Sequence, residues 1–265
     1  MKDYKENINM KGLTMRRRRK SQRRVIASIL TGMFIIQQTM TLSVMGSDIT
    51  GVTGVNGVFN IDPTHTSGDM GFRHYENFNL SEGDIANLNY TDISSFVNLV
   101  DNQVSINGIV NTVRGGNFHA GKAIFISPNG MIVGASGVLN VGSLGVYTPN
   151  QAGYDNFAKQ VDEGTATALS GLVTNYTGGG TIRIDGKVIS AGDVNVRAGN
   201  AIVSNTGGIV AGVNADQMSV ITSQTQANNL FNSLVNTDNL TTGSQFASNN
   251  GVIEIRTGYN ENGGI

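Results

Sequence analysis

From about residue 51 onward, short apolar runs alternate with clusters of Gly and Asn. Val104-Ser105-Ile106 alternates apolar and polar, breaks at Asn107-Gly108 and resumes with Ile109-Val110. Ala123 to Ile126 is continuously apolar and stops at Ser127-Pro128-Asn129-Gly130, after which Met131-Ile132-Val133 starts another run. Gly137 to Val146, Thr181 to Ile189 and Asp193 to Arg197 repeat the scheme, and Gly251 to Arg256 reads as the start of a further coil. Short runs with period-two alternation between turn residues predict strands. Their recurrence at a spacing of roughly twenty residues favours stacked repeats, in which Asn-Gly makes a corner between faces of one coil instead of a hairpin. Each inward aliphatic side chain contributes about 1.5–3 kcal/mol when fully buried. One coil cannot bury its own, so coils must stack. The expected fold is all-β: a single-stranded, right-handed parallel β-helix of the pectin-lyase-like kind with short excursions. An antiparallel sandwich is the alternative.

Two stretches break the rhythm. Residues 150–180 carry Tyr154, Phe157, Ala158 and Val161 in a polar setting, and residues 214–250 are rich in Asn, Gln, Ser and Thr. In the second, Leu230, Phe231, Leu234 and Val235 fall at helical spacing, which predicts a short surface helix near 224–236 packed back on the strands.

Charge divides the chain in two. Residues 1–24 hold ten Lys or Arg against Asp3 and Glu6, a net +8, while the rest carries eight basic and 17 acidic groups, a net −9. Twelve uncharged residues from Val25 to Ile36 follow the basic head, and small residues follow at Gly46-Ser47. A basic n-region, an apolar core too short to span a bilayer and small residues read as a signal peptide over 1–46, removed on export. The expected mature body is 47–265, one domain truncated at its C-terminal end. Its acidity argues against nucleic-acid binding, which needs a basic surface. With no Cys among 265 residues, thiol chemistry, Cys-ligated zinc and a disulfide scaffold are excluded. Gly is frequent, at 35 residues, but follows no three-residue period, so the chain is not collagen-like.

Candidate chemistry is sparse. His65, His74 and His119 are far apart in sequence and nominate no metal site, and Asp162-Glu163 is the one adjacent acidic pair of the body, read as a solvated loop. Without clustered carboxylates, a polysaccharide-degrading enzyme has no acid–base pair to work with. No phosphate loop or calcium-binding Gly-rich repeat is present either. The expectation is a non-enzymatic protein with no cofactor and no metal.

Phe96 to Asn150 resembles the N-terminal two-partner secretion domain of the filamentous haemagglutinin family, found in large bacterial adhesins and haemolysins. The likeness rests on Asn107-Gly108, Asn111-Thr112 and Gly115-Gly116-Asn117, and above all on Ser127-Pro128-Asn129-Gly130 followed by Met131-Ile132-Val133-Gly134 and Gly137. Ser127 stands where the family motif has Asn. Both residues suit the first position of a type I turn, where the side chain bonds the backbone two residues on. Upstream, Asn77-Phe78-Asn79 resembles an early family segment. The resemblance implies secretion targeting, with Ser127, Pro128, Asn129 and Gly130, and secondarily Asn77, Phe78 and Asn79, read by the periplasmic domains of a dedicated outer-membrane transporter. It further implies the inner-membrane export machinery as a partner of the signal peptide, a secreted or cell-surface location, and β-helix folding outside the cell. An adhesin segment binding a host glycan or a host cell-surface receptor is the alternative.

Overall fold

The computed structural model describes residues 46–169, 179–204 and 207–235, with the backbone of 243–249 and 252–259. Apart from Gly46, the expected signal peptide lies outside the described residues.

The strands follow one another in rotation among three sheets. In chain order they are β1 (Asp48–Ile49), β2 (Val58–Ile61) and β3 (His65–Ser67), then β4 (Met70–Tyr75), β5 (Phe78–Leu80) and β6 (Ile85–Asn89). Next come β7 (Ser95–Val100), β8 (Val104–Ile106), β9 (Ile109–Arg114) and the short β10 (Asn117–Phe118). They are followed by β11 (Lys122–Ile126), β12 (Gly130–Val133), β13 (Val138–Val141) and β14 (Ser143–Tyr147). Helix α1 (Gln151–Asp162) intervenes before β15 (Thr181–Ile184), β16 (Lys187–Ser190), β17 (Val194–Ala198), β18 (Asn200–Val203) and β19 (Gly208–Val210). Helix α2 (Gln224–Val235), β20 (Gly243–Asn249) and β21 (Val252–Tyr259) complete the described elements.

Sheet 1 has the order β1-β5-β8-β12-β15-β18, sheet 2 has β2-β6-β9-β13-β16-β19, and sheet 3 has β3-β4-β7-β11-β14-β17-β21-β20. Except where β1, β3, β10, β20 and β21 are involved, neighbouring strands in all three sheets pair in parallel, so like positions stack. Phe96, Ala123, Leu144 and Val194 form one inward column of sheet 3, and Phe59, Ala86, Val110, Leu139 and Val188 one of sheet 2. These columns and their sheet 1 counterparts meet in one buried core, where Phe78 contacts Tyr75 and Phe125 edge-on with ring centroids 5.4 Å apart in both pairs. Asn107-Gly108 is a corner between sheets 1 and 2. A Cβ on Gly108 would lie 2.3 Å from Asp84 O of the corner beneath, so the stacking of corners requires Gly there.

Several expectations are corrected at this point. The chain is not the uniform all-β, right-handed, pectin-lyase-like β-helix expected from the strand rhythm. It is a mixed α/β domain with three separate sheets, none closed on itself, and two helices laid on sheet faces. Five strand pairs are antiparallel: β1 with β5, β3 with β4, β9 with β10, β17 with β21, and β20 with β21. The run at Gly251 to Arg256 therefore does not begin another coil, since β21 returns antiparallel to β17. Periodicity misleads because it reports which side chains are buried, not the direction in which a strand pairs. The helix expected near 224–236 is present as α2.

Helix α1 went unread in the sequence, although Tyr154, Phe157, Ala158 and Val161 lie at i, i+3, i+4 and i+7 and are all buried. Asn150 caps it, its side chain accepting from Gly153 N at 2.7 Å. The helix covers the outward face of sheet 3, where Val97, Leu99, Ile124 and Ile126 form a second apolar cluster with it. That explains the continuously apolar Ala123 to Ile126. Its strand is buried on both faces.

Candidate functional site

Three constellations stand out, and the segment opening β5 and the corner after β11 come first because sequence singled them out. Phe78 is buried in the core. Asn77 bonds Asp48 Oδ2 through Nδ2 at 2.8 Å and accepts from Asn102 Nδ2 at 2.8 Å, while Asn79 sits in register with Asp48 and Ser105. Ser127 and Pro128 are buried, and Asn129 is exposed. Ser127 Oγ donates to Asn102 O at 2.9 Å and accepts from Asn129 N at 3.1 Å, the side-chain-to-backbone bond that the turn chemistry anticipates. Gly130 has φ of +90°, and a Cβ there would lie 2.1 Å from Thr181 O. Asn102 thus joins the two segments into one stacked corner. Its polar groups are spent on the chain itself.

The second constellation went unseen in the sequence. His74 lies on the outward face of β4, and α1 brings Asp162 over it. The Nδ1 edge of His74 is 2.9 and 3.0 Å from the two Asp162 oxygens, and Nε2 is 2.7 Å from Asp101 Oδ1. An imidazole can donate from both nitrogens only when protonated, so this geometry suits the imidazolium. Burial works against that charge, but the hydrogen bonds to Asp101 and Asp162 and their negative charges outweigh it and raise the pKa above 6.5. Tyr154 of α1 donates to the same Asp101 oxygen at 2.9 Å, and its hydroxyl is pushed upward by burial and by the Asp101 charge. Asp101 also ties this cluster to the corner, since its carbonyl accepts from Asn129 Nδ2 at 2.6 Å.

A carboxylate engages each ring nitrogen, and the cluster ties the end of α1 to sheet 3. Asp162 is solvent-exposed as expected, but it is the last residue of the helix instead of a loop residue, and it is an ion-pair partner. The other two histidines lie elsewhere. His65 donates from Nε2 to Ala166 O at 3.0 Å and stacks on Phe72, and His119 packs against Tyr90, its pKa lowered by burial and by Arg114. Among the described residues no group of three His, Cys, Asp or Glu has the geometry to hold a metal.

The third constellation is a column of asparagines on the outward face of sheet 2. Asn60, Asn87, Asn111 and Asn140 occupy equivalent positions on β2, β6, β9 and β13. Each amide nitrogen bonds the amide oxygen of the residue one strand back: Asn140 to Asn111 at 2.8 Å, Asn111 to Asn87 at 3.2 Å, and Asn87 to Asn60 at 3.1 Å. The chain's own segment Ser219 to Ile221 lies across part of this column. Asn111 Nδ2 donates to Ile221 O and its Oδ1 accepts from Ile221 N, both at 3.0 Å, while Asn140 Nδ2 donates to Ser219 O at 2.9 Å. Beside it, α2 packs on Ile109, Val138, Ile189 and Val210.

No family model, no curated protein and no solved structure matches the chain. The resemblance to the filamentous haemagglutinin family does not hold, and neither do the pure β-helix and the secretion-targeting role it implied. The mixed architecture disagrees with that assignment, and the corner at Ser127 to Gly130 shows no recognition motif beyond its own turn. The adhesin alternative rested on the same scaffold and falls with it.

Proposed function

We propose that this protein is a non-catalytic scaffold whose outward sheet faces hold polypeptide segments. The observation that supports this reading is that two faces already do so by different chemistries. Sheet 3 takes a helix through an apolar cluster edged by the His74 clamp, and sheet 2 takes an extended segment through asparagine side chains and a helix through aliphatic contacts. The chemistry of the His74 cluster fits the same reading, because both ring nitrogens and one oxygen of Asp101 are committed to holding α1. The test is fluorescence anisotropy of residues 46–265 with a panel of labelled peptides of eight to twelve residues, run beside turnover assays on polysaccharide and ester substrates. Saturable binding of a subset of peptides without turnover is expected. Turnover lost on His74→Gln, or no peptide binding across the panel, would overturn the reading.

A further inference from the structure

We infer that the uncovered end of the asparagine column, Asn87 and Asn60, is a docking site for the backbone of an extended polypeptide segment; this rests on the scaffold reading above. The argument starts from the hydrogen-bond capacity of a carboxamide, two N–H donors and two lone pairs on oxygen. Asn111 uses all four. Two bonds run along the column, to Asn87 and from Asn140, and two go to the N–H and C=O of Ile221. Asn87 stands one strand away in the same register and makes the same two column bonds, accepting from Asn111 and donating to Asn60. The two bonds that Asn111 gives to Ile221 are the two that Asn87 makes with no group among the described residues. Asn60 is exposed and closes the column, its oxygen accepting from Asn87.

The chain's own segment does not continue onto these positions. It runs from Asn140 at Ser219 to Asn111 at Ile221, and Thr222 then turns away, its N–H and hydroxyl both donating to Gln226 Oε1 in the first turn of α2. The site is therefore a continuation of a contact that the protein already makes. Ser219 and Ile221, two residues apart, meet successive asparagines, and a ligand segment crossing the column at the same tilt meets Asn87 and Asn60 in the same way. Backbone recognition of this kind tolerates many sequences. Selectivity comes from the neighbouring row, where the half-buried Ile85 and Val58 stand beside Asn87 and Asn60 and offer an apolar strip to a side chain of the ligand. The occupant is an extended peptide with aliphatic side chains, not a helix, because only an extended backbone presents free N–H and C=O groups to one asparagine.

The test uses a labelled peptide copying Met218 to Ser223 as probe and the full chain as the binder. Anisotropy titrations compare it with the same peptide N-methylated at the Ile position, and compare the wild type with Asn60→Ala and Asn87→Ala. Asn60→Ala leaves the Asn111 contacts intact and guards against a folding defect in the second variant. The expected result is saturable binding, weakened at least tenfold by N-methylation and at least threefold by each substitution. Binding indifferent to both substitutions, or no binding of this probe while other peptides of the panel bind, overturns the site and leaves the scaffold reading standing. Failure of every peptide overturns both.

Discussion

Asn111→Leu isolates what the asparagine column contributes. Leucine fills a comparable volume but offers no hydrogen bonds. Ile221 is fully buried, so its N–H and C=O lose their side-chain partner and gain no water. Each buried backbone group left unpaired costs about 1–3 kcal/mol, and Asn87 and Asn140 each lose one bond besides. Burying leucine against Ile109 and Val138 offsets part of this, leaving a net loss of about 3 kcal/mol. With a urea slope of about 3 kcal/mol/M, the midpoint falls by about 1 M. Urea unfolding followed by circular dichroism reads the midpoint, and hydrogen exchange reads the Ile221 amide, which loses protection ahead of the strands. Asn60→Ala, at the exposed end of the same column, shifts stability by no more than about 0.5 kcal/mol. If Asn111→Leu shifts stability by less than about 1 kcal/mol and the Ile221 amide stays protected, the side chains are not what holds this segment, and the reasoning fails.

Four further outcomes are expected. The His74 clamp adds stability that is fully present below pH 6.5, the ordinary His value, and is lost as pH rises through the raised pKa; urea midpoints fall over that window in the wild type and stay flat in His74→Gln. Tyr154→Phe removes the donor to Asp101 and lowers stability by about 1 kcal/mol in the same assay; an unchanged midpoint would show that water replaces it. Gly130→Val drives a Cβ into Thr181 O at a positive φ and destabilises by about 3 kcal/mol or more, read as loss of soluble protein or a large drop in melting temperature. N-terminal sequencing of exported protein begins within a few residues of Ser47, and a mature chain retaining Arg16 to Arg19 would refute the processing read from the basic head.

The strands were legible because their burial is periodic: Val104–Ile106, Thr181–Ile184 and Val194–Ala198 alternate in sequence and in exposure. The α2 helix was legible from the spacing of Leu230, Phe231 and Leu234. Pairing direction was not, because a strand pattern such as Val252-Ile253-Glu254-Ile255 reads the same whether its neighbour runs parallel or antiparallel. The clamp was hidden for another reason. His74 and Asp162 are 88 positions apart, and only the packing of α1 on sheet 3 brings them together. The signal was present in Tyr154, Phe157, Ala158 and Val161, whose helical spacing would have placed Asp162 at the end of a buried-faced helix. The asparagine column escaped notice because nothing marks one Asn as the register mate of another until the sheet is known.

The place where α1 leaves the sheets has a consequence for how such a chain can change length. Thr148 and Gly180 flank the departure and the return, and they touch: Thr148 Oγ1 donates to Gly180 O at 3.3 Å, and a Cβ on Gly179 would sit 2.1 Å from Thr148 O. The strands on either side, β14 and β15, keep the register of their neighbours as though only a corner separated them. An equivalent corner one strand back, between β11 and β12, is closed by Ser127, Pro128 and Asn129 alone. Strand register therefore does not fix the length of chain between Thr148 and Gly180, although α1 within it is needed to cover Val97, Leu99, Ile124 and Ile126 of sheet 3. Chain added at this junction leaves every strand in place, which makes it the natural point for grafting a foreign sequence onto the scaffold.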